Sequence, residues 1–311
     1  MVKWSSMKAY LIGSILKEYR TRFKISQEEL CFDLCAVSTL SRIENGSQIP
    51  GRKLIESLFS RLGMNPPASS IPMTKTDFKR ENLEYEIIDK LANNDFNIFQ
   101  LLEEYKSCGN ELDLLEEQFF RFFKSYAEDK INHEANHALK EFIEALHLTL
   151  KDYKIGLLPK AKLLTKTELI ILNNIARMLY FTNQKDHAIN LMEFLRSYFE
   201  NGIVSEEEKA KNYPVILFNL ENWYGLKGEG QKSLELSEKG INACIQYGKL
   251  TQFPYQIFNK GYALNLLGKR QEAEKYISDA FTIFKQMKKY EEAKFGAETM
   301  NKEFGFSFPI E

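Results

Sequence analysis

One pentapeptide has the residue types and spacing of a zinc site, because residues 133–137 read His-Glu-Ala-Asn-His. On a helix, the two imidazoles would face one metal ion and the glutamate between them would act as a general base. Peptidases of this kind need a third ligand further along, but Lys140 and Ile143 occupy the positions that matter. We therefore expect a solvated helix face here, with no metal site, no cofactor and no catalytic residues.

Cys31 and Cys35 are a second group that could carry chemistry, as two thiols four positions apart. A zinc site would need two further ligands, and no histidine lies near them in the sequence. The pattern favours a small buried residue at Cys31 and a turn residue at Cys35, with an oxidation-sensitive thiol switch as the alternative. Four cysteines in 311 residues, without framework spacing, indicate a reducing compartment.

Polar residues around positions 38–42 form a third group, and the elements that hold them are two short helices. Ser26 followed by two glutamates at 28–29 predicts the start of the first helix, and a break at 35–37 separates it from a second. The second helix should run from about residue 38 to 45 and end at Gly46, which suits the left-handed residue after a helix. Two short helices joined by a tight break are typical of a helix-turn-helix.

In a helix-turn-helix, the start of the second helix enters the major groove of DNA, so its outward side chains are candidates for base contacts. Arg42 is best suited to the O6 and N7 atoms of guanine, although an ion pair with a nearby carboxylate is the alternative. Gln27, at the start of the preceding helix, would hold a phosphate. The predicted base-contacting residues are Val37, Ser38, Thr39 and Arg42, and the predicted backbone-contacting residues are Gln27, Lys24, Arg22 and Asn45.

The whole sequence predicts an all-α fold in two domains. A helix at about 10–23, the helix-turn-helix and a helix at about 51–63 form a DNA-binding domain at residues 1–65. Prolines and serines between 66 and 72 cannot continue a helix, so we expect a linker at 66–75. Residues 76–311 show one helical period after another and predict an α-solenoid of degenerate repeats.

Three segments of the second domain align with one another, at residues 169–195, 214–240 and 254–280. Each opens its second helix with a small residue, where close packing of helices requires a short side chain. These residues are Ala188, Ser233 and Ala273. Pro214 and Pro254 would mark the starts of first helices, because that position tolerates a missing N–H. Glu221 stands where the other two segments have a small residue.

The alignment also brings an asparagine to one phase of all three first helices. The recurring residues are Asn174, Asn219 and Asn259, with Arg177, Asn222 and Tyr262 one turn later and Phe218 and Phe258 before the last two. A side-chain amide both donates and accepts hydrogen bonds, so a line of amides can satisfy the backbone of an extended peptide in either direction. Neighbouring aromatic residues would form pockets for apolar side chains. Chance recurrence of a common residue, or helix capping, is the alternative.

The motif SQEEL…SRIENG, followed by Pro50 and regularly spaced leucines, resembles the helix-turn-helix of the Cro/C1 repressor superfamily. Its inter-helix turn is one residue shorter than the usual form and has Cys35 at its first position. This turn is similar to that of the PlcR/Rgg-like regulators of Gram-positive bacteria, which sense short signalling peptides. The three segments resemble tetratricopeptide repeats, although their spacings of 45 and 40 residues exceed the usual 34 or so.

The resemblance implies a transcriptional regulator for quorum sensing, which binds a near-palindromic DNA operator as a homodimer and a signalling peptide in the concave groove of its repeats. It also implies that Asn174, Asn219 and Asn259 hold the peptide. Lys124, in a weaker preceding repeat, Arg177 or Arg121 would meet a peptide carboxylate. Peptide binding would change the spacing of the two DNA-binding domains through the linker. The alternative is a helix-turn-helix regulator whose repeats bind a protein partner and no peptide.

Charge and hydropathy agree with this interpretation. Residues 1–65 contain ten Lys and Arg against six Asp and Glu, a net charge of +4 in a chain whose total is −1. A basic segment suits contact with phosphates, although +4 is also an ordinary value for a domain. No apolar run reaches the length of a membrane span, and the N-terminus lacks the apolar core of a signal peptide. We expect a soluble cytoplasmic protein that does not contact the membrane.

Overall fold

A computed structural model describes residues 2–67 and 73–310. Within these residues every regular element is an α-helix, which confirms the all-α prediction. Contacts divide the chain into two compact units, residues 1–205 and 206–311. None of the described helices is long and apolar enough to cross a membrane.

The first unit contains ten of the described helices. They are α1 (Val2–Arg22), α2 (Gln27–Cys31), α3 (Val37–Glu44), α4 (Arg52–Arg61), α5 (Lys75–Ala92), α6 (Phe99–Ser107), α7 (Leu114–Asn132), α8 (Ala135–His147), α9 (Lys166–Phe181) and α10 (Lys185–Asn201). The described helices of the second unit are α11 (Glu206–Leu226), α12 (Gly230–Tyr247), α13 (Phe253–Leu266), α14 (Arg270–Gln286) and α15 (Tyr290–Phe304). In each unit, helices that follow one another in sequence pack together as antiparallel pairs, such as α9 with α10 and α13 with α14.

Helices α2 and α3 form the helix-turn-helix, and their ends follow from the capping residues. The Ser26 hydroxyl accepts a hydrogen bond from the Glu29 N–H at 3.1 Å, and the Glu29 carboxylate accepts one from the Ser26 N–H at 2.9 Å. This capping box starts α2 where the sequence predicts it. Gly46 follows α3 with φ +71°, in the left-handed region that glycine adopts without strain. Leu40 and Ile43, on the inner face of α3, are fully buried.

Helix α1 is longer than predicted and packs directly against α3. It begins at Val2, whereas the sequence predicts a start near residue 10. Gly13 lies where the two helices meet, and a Cβ atom there would stand 1.9 Å from the carbonyl oxygen of Ile43 and 3.2 Å from the Cα of Glu44. Both neighbours are backbone atoms, so no side chain fits at this position. Glycine therefore sets the distance between α1 and α3.

Buried ion pairs fasten α4 to helices on both sides of it in the sequence. The Arg61 guanidinium donates to the carbonyl oxygens of Leu30 and Phe32, at 3.1 and 2.6 Å, and so holds the end of α2. Its other terminal nitrogen donates to the Glu168 carboxylate in the first turn of α9, at 3.1 Å. A second cluster at the start of α4 consists of Arg52, Lys53, Glu84 and Tyr105. The helix-turn-helix is thus part of one compact unit with α5–α10.

The predicted domain boundaries, at 1–65, 66–75 and 76–311, stay a prediction. Five residues of the predicted linker, 68–72, lie outside the described part of the chain. Helix α5 begins at Lys75 with a capping box, in which the Thr74 hydroxyl accepts from the Asp77 N–H at 3.1 Å.

Residues 133–137 do not share one helix, so the expected continuous helix face is wrong here, although His133, Glu134, Asn136 and His137 are exposed. His133 ends α7 in the left-handed conformation, with φ +57°, and α8 begins at Ala135. The two histidines therefore do not lie one turn apart on one helix, as a zinc-binding helix requires. Among the described residues, no group of three or more His, Cys, Asp or Glu could hold a metal ion.

Helix α11 starts earlier than the repeat alignment predicts. It begins at Glu206, so Pro214 lies inside the helix, and the prediction that Pro214 marks a helix start is wrong. The missing N–H of one proline leaves the rest of the hydrogen-bond ladder intact, and three acidic residues at 206–208 favour a helix start. Pro254 does lie at the beginning of α13, as its second residue.

Small residues allow the close packing of the helix pairs, as the alignment predicts. Ala188 and Ala273 have no exposed area, and Ser233 is buried with its hydroxyl donating to the carbonyl oxygen of Glu221 at 2.8 Å. A Cβ atom on Gly261 would stand 2.6 Å from Cγ1 of Ile277 in the facing helix.

Candidate functional site

The outward face of α3 is polar and accessible. Val37, Ser38, Arg42 and Asn45 are exposed, and Thr39 is half-buried. The Arg42 guanidinium lies 3.4 Å from the Thr39 hydroxyl and forms no ion pair within the described part of the chain. Its charge is therefore available for an external partner.

Gln27 is held more firmly than its position at the start of α2 suggests. Its side-chain amide donates to the Glu44 carboxylate at 2.7 Å, and Arg20 donates to the same carboxylate at 2.6 and 2.9 Å. The hydrogen bonds that Arg20 donates to Glu44 raise the pKa of Arg20. One of the two amide N–H groups of Gln27 is thus committed, and only the second can reach a phosphate.

Part of the positive charge of residues 1–65 is neutralised by ion pairs within the protein. The cations held in ion pairs are Arg20 with Glu44, Arg52 and Lys53 with Glu84, and Arg61 with Glu168. The exposed side chains of Lys17, Arg22 and Lys24 form no ion pair among the residues described. The net charge of the segment therefore says less about phosphate contacts than these individual cations do.

The two N-terminal thiols have little thiolate character. Burial raises the pKa of Cys35 to about 11 and raises the pKa of Cys31 as well. Because the thiolate is the reactive form, both cysteines should react slowly with oxidants at neutral pH. The geometry favours a packing role for the pair over the thiol switch.

The three aligned asparagines are all more than nine-tenths buried, and each has a different hydrogen-bonding state. The Asn174 amide donates to the Ile170 carbonyl oxygen at 2.9 Å and accepts from Arg177 at 3.1 Å. The Asn219 side-chain nitrogen is buried without a partner in the described part of the chain. The Asn259 amide donates to the Glu221 carboxyl group at 2.8 Å. Their shared role in holding a peptide stays a prediction.

In the second unit, a cavity of about 720 Å³ opens between α11, α13 and α15. Four residues of the predicted peptide-binding set line it, namely Phe218, Asn222, Asn259 and Tyr262. The other lining residues are Leu226, Tyr255, Phe258, Phe284, Glu292, Phe295, Gly296, Glu298, Thr299, Lys302 and Glu303. A volume of this size is within the range of about 300–1,000 Å³ that is usual for small-ligand sites.

The cavity has an aromatic body and a charged rim supplied by α15. Tyr255 packs edge-on against Phe284 at 4.7 Å and against Phe218 at 5.7 Å between ring centroids. Burial raises the pKa values of Tyr255 and Tyr262, so both hydroxyls remain protonated. The Tyr255 hydroxyl donates to the Glu292 carboxylate at 3.2 Å and accepts from the Lys289 ammonium at 3.1 Å. None of the residues of α15 is in the predicted peptide-binding set. The missed signal is its spacing, because Glu292, Phe295, Thr299 and Lys302 recur every three or four residues on one face.

Glu221 lies beneath Asn259 and is fully buried. Burial raises the pKa of its carboxyl group well above the ordinary value, while the hydrogen bond from Asn259 opposes this effect. The second carboxyl oxygen has no partner in the described part of the chain. Glu221, which replaces a small residue of the repeat alignment, therefore holds the candidate binding residue Asn259 through a buried hydrogen bond.

Lys130 is a second cation close to Arg177 in the first unit. Burial and the charge of Arg177 lower the pKa of Lys130, and the Lys130 ammonium lies 5.4 Å from the centre of the Tyr126 ring. Two cations close enough to repel one another favour a bound anion, such as a carboxylate. Lys124, the predicted carboxylate contact, is half-buried two turns earlier on α7. Lys130 was missed because the sequence alone does not bring α7 and α9 together.

Comparisons with known proteins agree with the architecture. The family model HTH_3, described as a helix-turn-helix, matches residues 16–68. The crystal structure of Bacillus thuringiensis PlcR in complex with the peptide PapR7 and DNA is 19% identical, covers 91% of this chain and 98% of its own, and gives a TM-score of 0.58. The apo form of the same protein is 17% identical, covers 95% of this chain and 99% of its own, and gives 0.56. A comparison with curated proteins found no match.

At these identities the likeness concerns the fold. It confirms the predicted resemblance to PlcR-like proteins over most of the chain, and the family model confirms the helix-turn-helix.

Proposed function

We propose that this protein is a transcriptional regulator that reads operator DNA with α3 and senses a short signalling peptide with its helical repeats. One observation carries the proposal: the chain has the fold of a PlcR that was crystallised with both a peptide and DNA, over nearly the full length of each. A regulator that binds DNA acts inside the cell, so we place the protein in the cytoplasm. No step of this function requires catalysis.

The DNA-binding half of the proposal rests on α3. Its exposed face carries Val37, Ser38 and Arg42, and Arg42 forms no ion pair among the described residues. Leu40 is buried on the opposite face and packs α3 against the domain. A guanidinium in this place can form two hydrogen bonds to guanine. We propose a homodimer on a near-palindromic operator, because a two-fold protein presents the same helix to two half-sites.

The peptide-binding half rests on two sets of side chains, considered separately in each unit. In the second unit, the aromatic cavity offers pockets for apolar side chains and an amide at Asn259. In the first unit, Arg177 and Lys130 favour a carboxylate of the peptide, with Lys124 on the same helix as Lys130. Main-chain hydrogen bonds and side-chain pockets are the two means by which extended peptides are recognised.

The buried pair of Arg61 and Glu168 suggests how the two activities communicate. Glu168 is in the first turn of α9, the helix that carries Asn174 and Arg177, and Arg61 holds the end of α2. A shift of α9 on peptide binding would move α2 through this pair, in addition to any effect of the predicted linker at 66–75. Such coupling requires the peptide to bind the two conformations with different affinity.

Two measurements test the proposal. Selection from random-sequence DNA should yield a site with two related half-sites, and Arg42→Ala should weaken binding to it by roughly 5- to 150-fold per half-site, which corresponds to about 1–3 kcal/mol. Native mass spectrometry of protein from its source organism should reveal a co-purifying peptide. A folded protein partner in place of a peptide would refute the proposed peptide sensing. Random DNA sequences after selection would refute the proposed operator binding.

A further inference from the structure

The cavity between α11, α13 and α15 has an unbalanced charge. Three carboxylates line it, those of Glu292, Glu298 and Glu303, against the single ammonium of Lys302. Lys289 lies 4.0 Å from Glu292 and thus offsets one of them. Glu298 and Glu303 form no ion pair within the described part of the chain. With Lys289 and Lys302 counted, one negative charge remains in excess, and neither Glu298 nor Glu303 is held in an ion pair in that part of the chain.

A second observation concerns the orientation of the amide at the cavity wall. Asn259 is only 7% exposed, and its N–H group is bonded to the buried Glu221. No hydrogen bond to its carbonyl oxygen exists among the described residues, so this oxygen is left as an acceptor. Glu221 thus commits one of the two N–H groups of Asn259 and leaves the amide oxygen to accept a hydrogen bond from a ligand.

The third observation concerns the aromatic residues that line the cavity. Tyr255, Phe258, Tyr262 and Phe295 all line the cavity, and Phe295 is among the most exposed apolar side chains of the protein. The faces of aromatic rings attract ammonium and guanidinium groups. Carboxylates and aromatic faces favour a positively charged ligand, and the unpaired amide oxygen of Asn259 favours one that donates hydrogen bonds.

We propose that this cavity reads a basic side chain of the signalling peptide, an arginine or a lysine placed beside an apolar residue. The inference rests on the proposed peptide-sensing function and adds the chemical class of the residue that is selected. A cavity of about 720 Å³ holds more than one side chain, so the apolar neighbour packs against the aromatic wall while the cation meets the carboxylates. An acidic residue in the same place would meet two like charges.

The test uses the full-length protein and a randomised library of heptapeptides, acetylated at the N-terminus and amidated at the C-terminus so that the ends carry no charge. Selected peptides are measured by fluorescence anisotropy against the wild type and the variant Glu298→Gln/Glu303→Gln. The matched control is Glu272→Gln/Glu274→Gln, which removes two exposed carboxylates of α14 that do not line the cavity. Both variants change the net charge equally.

We expect the selected peptides to share a basic residue next to an apolar one. Their affinity should fall by roughly 2- to 30-fold in the cavity variant and stay unchanged in the control, as for two partly exposed ion pairs. If neutral or acidic peptides are selected, or if both variants weaken binding equally, the specificity inference is wrong while peptide binding stands. If no peptide is selected, the inference falls together with the peptide-sensing function.

Discussion

The pair of Arg61 and Glu168 offers the sharpest test of the connection between the helix-turn-helix and α9. Both side chains are completely buried, and their nearest nitrogen and oxygen are 3.1 Å apart. The change Glu168→Gln keeps the shape of the side chain and its hydrogen bonding to Thr165, but leaves the Arg61 charge buried without a counter-ion. Loss of one member of a buried ion pair costs about 3–5 kcal/mol.

That free energy translates into a large shift in the melting temperature. For a unit of about this size, 1 kcal/mol corresponds to roughly 2–4 °C, so Glu168→Gln should lower the melting temperature of the first unit by roughly 6–20 °C. Differential scanning calorimetry measures the shift directly. The control is Lys162→Gln, which removes an exposed ion pair between α2 and the segment before α9, and it should have little effect.

A double variant separates stability from coupling. In Arg61→Met/Glu168→Leu both charges are replaced by apolar groups, so a substantial part of the lost stability should return. The peptide should then bind without changing the affinity for the operator, because the link from α9 to α2 is gone. If Glu168→Gln melts no lower than Lys162→Gln, the pair does not fasten the two segments. If the double variant keeps its full peptide response, the coupling runs elsewhere.

Three further predictions address other parts of the molecule. Asn219→Ala should abolish the peptide response in an operator-binding assay while basal operator binding survives, and a normal response near the dissociation constant would remove this residue from the site. Gly13→Ala should destabilise the fold by about 1–3 kcal/mol or more because α1 and α3 must separate, whereas Gly51→Ala, whose new Cβ would be 3.9 Å from its nearest neighbour, should not; urea denaturation compares them. Because burial raises the pKa of Glu221, its carboxyl group costs least stability at low pH, where it is protonated, and costs more as the pH rises above its ordinary pKa of 4.5. Above that pH, the free energy of unfolding of Glu221→Gln should therefore rise relative to that of the wild type by roughly 1.4 kcal/mol per pH unit, as urea denaturation at several pH values can measure. Parallel pH profiles of the two proteins would contradict this reasoning.

Local signals in the sequence predict local structure well in this protein. Ser26 marks the start of α2, Gly46 marks the end of α3, and Pro254 marks the start of α13. Each of these residues acts on the backbone within one helical turn, so its effect is visible from its neighbours alone. Pro214 misleads because a proline inside a long helix and a proline at a helix start look alike from sequence.

Contacts between distant segments could not be predicted in the same way. Glu168 is 107 positions from Arg61 in the chain, and nothing in its own surroundings distinguishes it from an ordinary glutamate in a first turn. The charged rim of the cavity could not be predicted for the same reason, because the sequence does not show that α15 lies beside α11 and α13. Periodicity identifies the buried face of a helix, but it does not identify the helix that covers that face.

Glu221 shows why a departure from a repeat pattern can be more informative than agreement with it. A small residue would pack at this position without difficulty, whereas a carboxyl group must be desolvated and, with one oxygen unpaired, is a burden on stability. Its only side-chain hydrogen bond within the described residues is to Asn259, at the wall of the cavity. The free energy spent on burying the acid thus has one structural result, an amide whose carbonyl oxygen is fixed as an acceptor. The same pair makes the stability of the second unit depend on pH and the cavity favour a hydrogen-bond donor, so one substitution at Glu221 should alter both properties together.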